Sequence, residues 1–132
     1  MDLSSGKIIK EILEKYNVKP SKTLGQNFLI DRNILNKIIA AASPNKAGIA
    51  LEIGPGIGTL TCELAKNFSK VIAIEKDKKM CEILKNILSI ENIKNVQIIN
   101  QDILDFFKLK ISNYKVIANL PYYITSPVIR MF

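Results

Sequence analysis

The sequence has no histidine and no tryptophan in its 132 residues, and cysteine occurs only twice. Without histidine the commonest general base and the commonest metal ligand are both missing, which excludes imidazole acid–base chemistry and His-ligated metal centres. Cys62 and Cys81 are too far apart for a metal-type pair, and two buried free thiols in a reducing cytosol are expected. No apolar run approaches the roughly 20 residues that a membrane helix needs. Met1-Asp2-Leu3-Ser4-Ser5 lacks the apolar centre of a signal peptide. A cytoplasmic protein without metal, acting as a monomer, is the expectation.

Acidic residues are also in deficit. Twelve Asp and Glu face nineteen Lys and Arg, a net charge of +7. Such a balance favours an anionic partner such as RNA, although a basic surface with no partner also accounts for it. Nearly all the positive charge is Lys and scattered, which suits phosphate contact better than base reading. Lys7, Lys10, Lys15, Lys19 and Lys22 are candidates for phosphate contact, or else form a solvated face.

What is present alternates. Ser4 or Ser5 can cap a first helix carrying Ile8, Ile9, Ile12, Leu13 and Tyr16 at helical spacing. A polar loop with Pro20 follows, and Asp31 opens a second helix with Ile34, Leu35, Ile38 and Ile39 on one face. From there short apolar runs predict strands over 49–53, 70–74, 96–99 and 114–118. Helices are predicted over 59–66 and, capped by Asp77, on to about Ile90, and another starts at Thr125 or Ser126 with Pro127 in its first turn. This order predicts an α/β, Rossmann-like parallel sheet with helices on both faces. Four strands leave an open sheet edge and Phe132 falls inside a predicted helix, so a truncated sheet from the front of a longer protein is expected.

Glu52-Ile53-Gly54-Pro55-Gly56-Ile57-Gly58 follows the first predicted strand and opens a helix. Glycines such as Gly54 and Gly56 let the backbone turn tightly and let a ligand approach the main chain; an ordinary strand-to-helix turn is the competing reading. Glu75 ends the next strand, where a carboxylate can accept from two ribose hydroxyls. Nicotinamide-binding proteins share that arrangement, but their glycines run G-x-G-x-x-G and here they run G-x-G-x-G. Glu52 would repel a pyrophosphate and suits a cationic ligand with an amino group. S-adenosylmethionine carries a sulfonium and an ammonium and no phosphate. Asp102 after the third strand can accept from an adenine amine, or is a helix cap or turn residue.

Asn119-Leu120-Pro121-Tyr122 stands at the carboxyl end of the fourth strand, where open α/β sheets place their ligands. An exocyclic adenine amine is a poor nucleophile because its lone pair is delocalised into the ring. The Asn119 amide oxygen and the Leu120 carbonyl can accept its two hydrogens and favour tetrahedral geometry. Pro121 fixes the backbone so that a carbonyl points inward. The Tyr122 ring can stack on an extruded base. A turn with a surface tyrosine is the alternative. Such transfer rests on positioning and electrostatics and needs no strong base.

Thr23-Leu24-Gly25-Gln26-Asn27-Phe28-Leu29-Ile30-Asp31, residues 52–61, and Asn119-Leu120-Pro121-Tyr122-Tyr123-Ile124-Thr125-Ser126-Pro127 together resemble the ribosomal RNA adenine dimethyltransferases. The resemblance runs from Lys19 onward and is most specific at Gly25 to Leu29. It implies dimethylation of the N6 amines of two adjacent adenines near the 3′ end of 16S ribosomal RNA, with S-adenosylmethionine as cofactor. It implies that Asn27 and Leu29 border the cofactor, with Gln26 in the same loop. Gly54 then lies beneath the cofactor, Glu75 takes its ribose, Asp102 its adenine, and Asn119 the methyl-transfer region. Residues 1–30 become an N-terminal helix and basic loop with a cofactor lid, and residues 31–132 a partial methyltransferase domain. Family members carry further strands and a helical C-terminal domain that this chain lacks. The erythromycin-resistance methylases of 23S RNA are the near alternative, and an RNA-binding ribosome assembly factor is another.

Overall fold

The computed structural model describes residues 1–18, 32–42, 44, 46–103 and 114–118. Helices α1 (Gly6–Lys15) and α2 (Arg32–Ala41) precede an alternating run: β1 (Ile49–Ile53), α3 (Thr59–Asn67), β2 (Lys70–Glu75), α4 (Lys78–Ile90), β3 (Val96–Asn100) and β4 (Tyr114–Ala118). Of the two possible caps for the first helix, Ser5 is the one used, its side chain accepting from the Ile8 amide. Asp77 caps α4 as expected, with Oδ1 accepting from Lys79 N at 2.8 Å and Met80 N at 3.2 Å. Asn17 and Asn92 end α1 and α4 in the left-handed region, both at φ 55°. In each case the next residue donates back into the last turn, Val18 to Leu13 at 2.8 Å and Ile93 to Leu88 at 2.9 Å. The helix predicted from Thr125 or Ser126 lies outside the described residues.

The four strands form one parallel sheet in the order β3-β2-β1-β4. The chain steps outward from β1 to β3, then returns to the other side of β1 to form β4. Neighbouring connections therefore diverge between β1 and β4, the position at whose carboxyl ends open α/β sheets place their ligands. Register places Ala50, Glu52, Val71, Ala73, Ile98 and Ile117 on one face. All four described helices pack on that face. Ala50, Val71 and Ile117 cluster with Leu35, Leu60 and Leu64 from α2 and α3, with Ile38 and Ile39 packed against them; Ile34, expected on the same helix face, is instead exposed. Ala73 meets Ile9 and Leu13 of α1 and Met80, Ile83, Leu84 and Ile87 of α4. On the second face Leu51, Ile53, Ile72 and Ile74 are buried with Ile103. The helices expected there fall outside the described residues.

Arg32 opens α2 and reaches Asp2 Oδ1 at 3.2 Å and Glu63 Oε1 at 3.0 Å, tying three segments together. Asp2 is exposed and Arg32 and Glu63 are partly so, so water and salt screen the network. Arg32→Ala is accordingly expected to lower the thermal midpoint slightly at low ionic strength and not at all at high salt, as a calorimetric scan in both buffers would read.

Candidate functional site

The carboxyl end of β1 runs straight into the glycine loop. Gly54, Gly56 and Gly58 hold φ values of 71°, 58° and 99°, all left-handed. Gly54 N donates to Ile74 O at 2.9 Å, extending the β1–β2 ladder by one bond, and Gly58 N closes the turn onto Pro55 O at 3.0 Å. Gly58 is the N-cap of α3 and offers no side-chain cap. Its φ of 99° strains any L side chain, and a Cβ there would also meet Leu84 Cδ1, so glycine is strongly favoured. Pro55 and Ile57 are buried while Gly54 stays exposed, so the loop shows backbone outward and anchors by its apolar residues.

Glu75, the last residue of β2, stands beside this loop and is 8% exposed. Its Oε1 accepts from Gly56 N at 3.2 Å and its Oε2 from Asp77 N at 2.9 Å. One carboxyl thus ties the glycine loop to the amino end of α4. Burial raises its pKa, against those backbone hydrogen bonds. The end of β3 is drawn to the same point. Gln101 N donates to Glu75 O at 3.0 Å, and Asn100 Nδ2 donates to Glu75 O at 3.0 Å and Lys76 O at 3.2 Å. These bonds carry half-buried Asp102 toward Glu75, and Ile103 then turns into the far face of the sheet.

Glu52 is the surprise of the site. It is 2% exposed, and among the described residues it is held by the buried Thr61 hydroxyl, 2.7 Å from Oε2 and 3.0 Å from Oε1. Burial, reinforced by the Glu75 charge, pushes its pKa up from 4.5 to about 8. The sequence predicts a charged Glu52; burial in the fold instead favours its protonated form at neutral pH. Among the described residues neither Glu52 nor Glu75 forms an ion pair. A stability consequence follows. The folded state keeps the Glu52 proton to about 8 while the unfolded chain loses it near 4.5. The contribution is full below the lower value and is lost as pH rises through the upper one. Denaturation of the wild type should therefore become easier between those limits, and Glu52→Gln should flatten that slope.

Glu52, Gly54, Gly56, Glu75 and Asp102 thus gather at the carboxyl ends of β1, β2 and β3. Gln26, Asn27, Leu29, Asn119, Leu120, Pro121 and Tyr122 lie outside the described residues, as do Lys19 and Lys22. Lys7, Lys10 and Lys15 are exposed on α1. The sequence assigns Thr61 no role of its own; its signal is a hydroxyl in the first turn of the helix after a strand-end carboxylate. Cys62 is buried with its thiol pushed up to about 12, whereas Cys81 is only half buried, because it sits at the rim where Sγ approaches Glu75 O. No helix among the described residues is long and apolar enough to cross a membrane.

The family model of ribosomal RNA adenine dimethylase matches residues 19–132. The chain belongs to that family. Ribosomal RNA small subunit methyltransferase A of Clostridioides difficile is 47% identical over 98% of this chain and 47% of its own length. The protein of the same name from Alkaliphilus oremlandii gives the same identity and coverage. Among solved structures, a dimethyladenosine transferase from Plasmodium falciparum is 36% identical with a TM-score of 0.69, over 76% of this chain and 36% of that one. The 23S rRNA methyltransferase ErmE is 31% identical with a TM-score of 0.73, over 80% of this chain and 42% of its own. The chain spans about half the length of the curated relatives it matches. With the all-parallel sheet, these likenesses establish the Rossmann-like methyltransferase fold for this member of the family.

Proposed function

We propose that this chain provides the cofactor site and the target-amine site of an enzyme that dimethylates the N6 amines of two adjacent adenines near the 3′ end of 16S ribosomal RNA. The observation that carries the reading is the pair of buried carboxyls, Glu52 and Glu75, flanking a glycine loop in a chain of this family. Two carboxyls without an ion-pair partner among the described residues disfavour a pyrophosphate, and a cationic ligand would draw Glu52 toward its ionised form. S-adenosylmethionine fits that donor set and supplies an activated methyl group on a sulfonium. Glu75 accepts from the ribose hydroxyls, and its position beside Gly56 N keeps the loop close to them. Asp102 accepts from the cofactor's adenine amine. Gly54 gives close backbone approach, and Gln26, Asn27 and Leu29 line the lid.

Asn119 and Leu120 accept the hydrogens of the target amine and turn its lone pair toward the methyl carbon. Pro121 holds that carbonyl, and Tyr122 stacks on the extruded base. No general base is needed, because the amine becomes acidic once alkylated. The +7 charge supports an RNA partner through phosphate contacts. A cytoplasmic monomer acting in small-subunit biogenesis belongs to the same reading.

Methyl transfer by the full chain to unmethylated small subunits, compared with naked 23S RNA, is the test. Transfer to the small subunit alone is expected. Transfer only to 23S RNA would reverse the choice toward the ErmE-like activity that the structural likeness keeps in view. RNA binding with no transfer to either would favour an assembly factor.

A further inference from the structure

We propose that Thr61 is a positioning residue of the cofactor site, its buried hydroxyl holding the Glu52 carboxyl behind the glycine loop. The proposal deepens the cofactor reading above and rests on it. Thr61 is fully buried in the first turn of α3, and Glu52 is 2% exposed one residue from the end of β1. The two elements are joined by the loop from Gly54 to Gly58, so a bond between their side chains closes that loop from behind. The distances of 2.7 and 3.0 Å to the two carboxyl oxygens put the hydroxyl astride the group rather than at its edge. A carboxyl held there cannot swing toward Glu75.

Among the groups acting on Glu52, Thr61 is the one that favours its ionised form, although burial outweighs it. From β2 the neighbour acting on Glu52 is Glu75, which disfavours ionisation, as does burial; only the Thr61 hydrogen bond works the other way. From α3 the other titratable neighbour is Cys62, a neutral thiol. On β4 the register partner is Ile117. An ionised Glu52 would attract the cofactor's ammonium through the low-dielectric loop without touching it, since its side chain does not reach the surface. Removing the hydroxyl both frees the carboxyl and moves its ionisation to still higher pH.

Calorimetric titration of S-adenosylmethionine into the full chain across pH 6 to about 9 tests this. The ammonium of the cofactor titrates identically in every comparison, so differences between proteins report on the site. Thr61→Val should weaken binding about tenfold at neutral pH and move the rise of affinity to higher pH. Thr61→Ser, which keeps the hydroxyl, should bind within about twofold of wild type. In a Glu52→Gln background, Thr61→Val should add little, because its effect passes through the carboxyl. A folded Thr61→Val protein with wild-type affinity and an unmoved pH profile would overturn the proposal. Should Thr61→Val not fold, a wild-type profile that Glu52→Gln leaves unchanged overturns it equally. Absence of binding by the wild type at every pH instead refutes the cofactor reading itself.

Discussion

Glu75→Ala is expected to weaken S-adenosylmethionine binding about a hundredfold and to destabilise the ligand-free protein as well. The first effect follows from the proposed ribose contact: charge-assisted hydrogen bonds are the strong ones, and about 2.7 kcal/mol corresponds to that factor. The second follows from the fold alone. Truncation leaves Gly56 N and Asp77 N without the oxygens they now donate to. Each amide that loses its acceptor and stays shielded from water costs about 1–3 kcal/mol. Glu75→Gln divides the effects. One oxygen survives to serve one amide, so stability should fall less than affinity does. Chemical denaturation without ligand, beside calorimetric titration, reads both quantities. Unchanged affinity with reduced stability would leave Glu75 as a loop latch and remove it from the ribose site. Unchanged stability would contradict the geometry described here.

Gly58→Ala is expected to be among the most damaging single-methyl additions in the chain, at about 2–4 kcal/mol. Two independent faults coincide there. The backbone sits at φ 99°, which L side chains rarely adopt, and the new methyl would meet Leu84 Cδ1. Leu84 is fully buried between α4 and the sheet, so its side chain has no open space to yield into. Gly6→Ala is the control, because nothing lies within 4 Å of a Cβ at the start of α1. That change should be neutral or slightly stabilising. Combining Gly58→Ala with Leu84→Ala should give less than the sum of the separate losses, the relieved clash being the shared part. Full additivity would show that backbone strain acts alone.

The elements were legible because their signals are local. Short β-rich runs bounded by turn residues marked β1 and β4 at their observed limits, 49–53 and 114–118, and β2 and β3 to within one residue. A carboxylate before a helical period marked Asp77 as a cap. The glycine loop and its acidic neighbours were legible for a similar reason: each chemical group follows directly from a strand end. The Asn119 motif was equally plain in the sequence, although its placement lies outside the described residues.

Contacts between segments distant in sequence were not legible. Nothing in the order of residues says that β4 returns beside β1, or that α1 through α4 share one face. Nor does it say that Leu84 lies beneath Gly58, since those residues meet only when α4 packs over the loop. By itself the sequence determined which residues are acidic, which are glycine and where strands give way to helices, because these depend on neighbours a few positions away. The tertiary structure alone decided what state the acids are in. Packing α3 against β1 removes water from Glu52 and leaves the Thr61 hydroxyl as its partner, turning a carboxylate expected to be charged into one that holds its proton near neutrality.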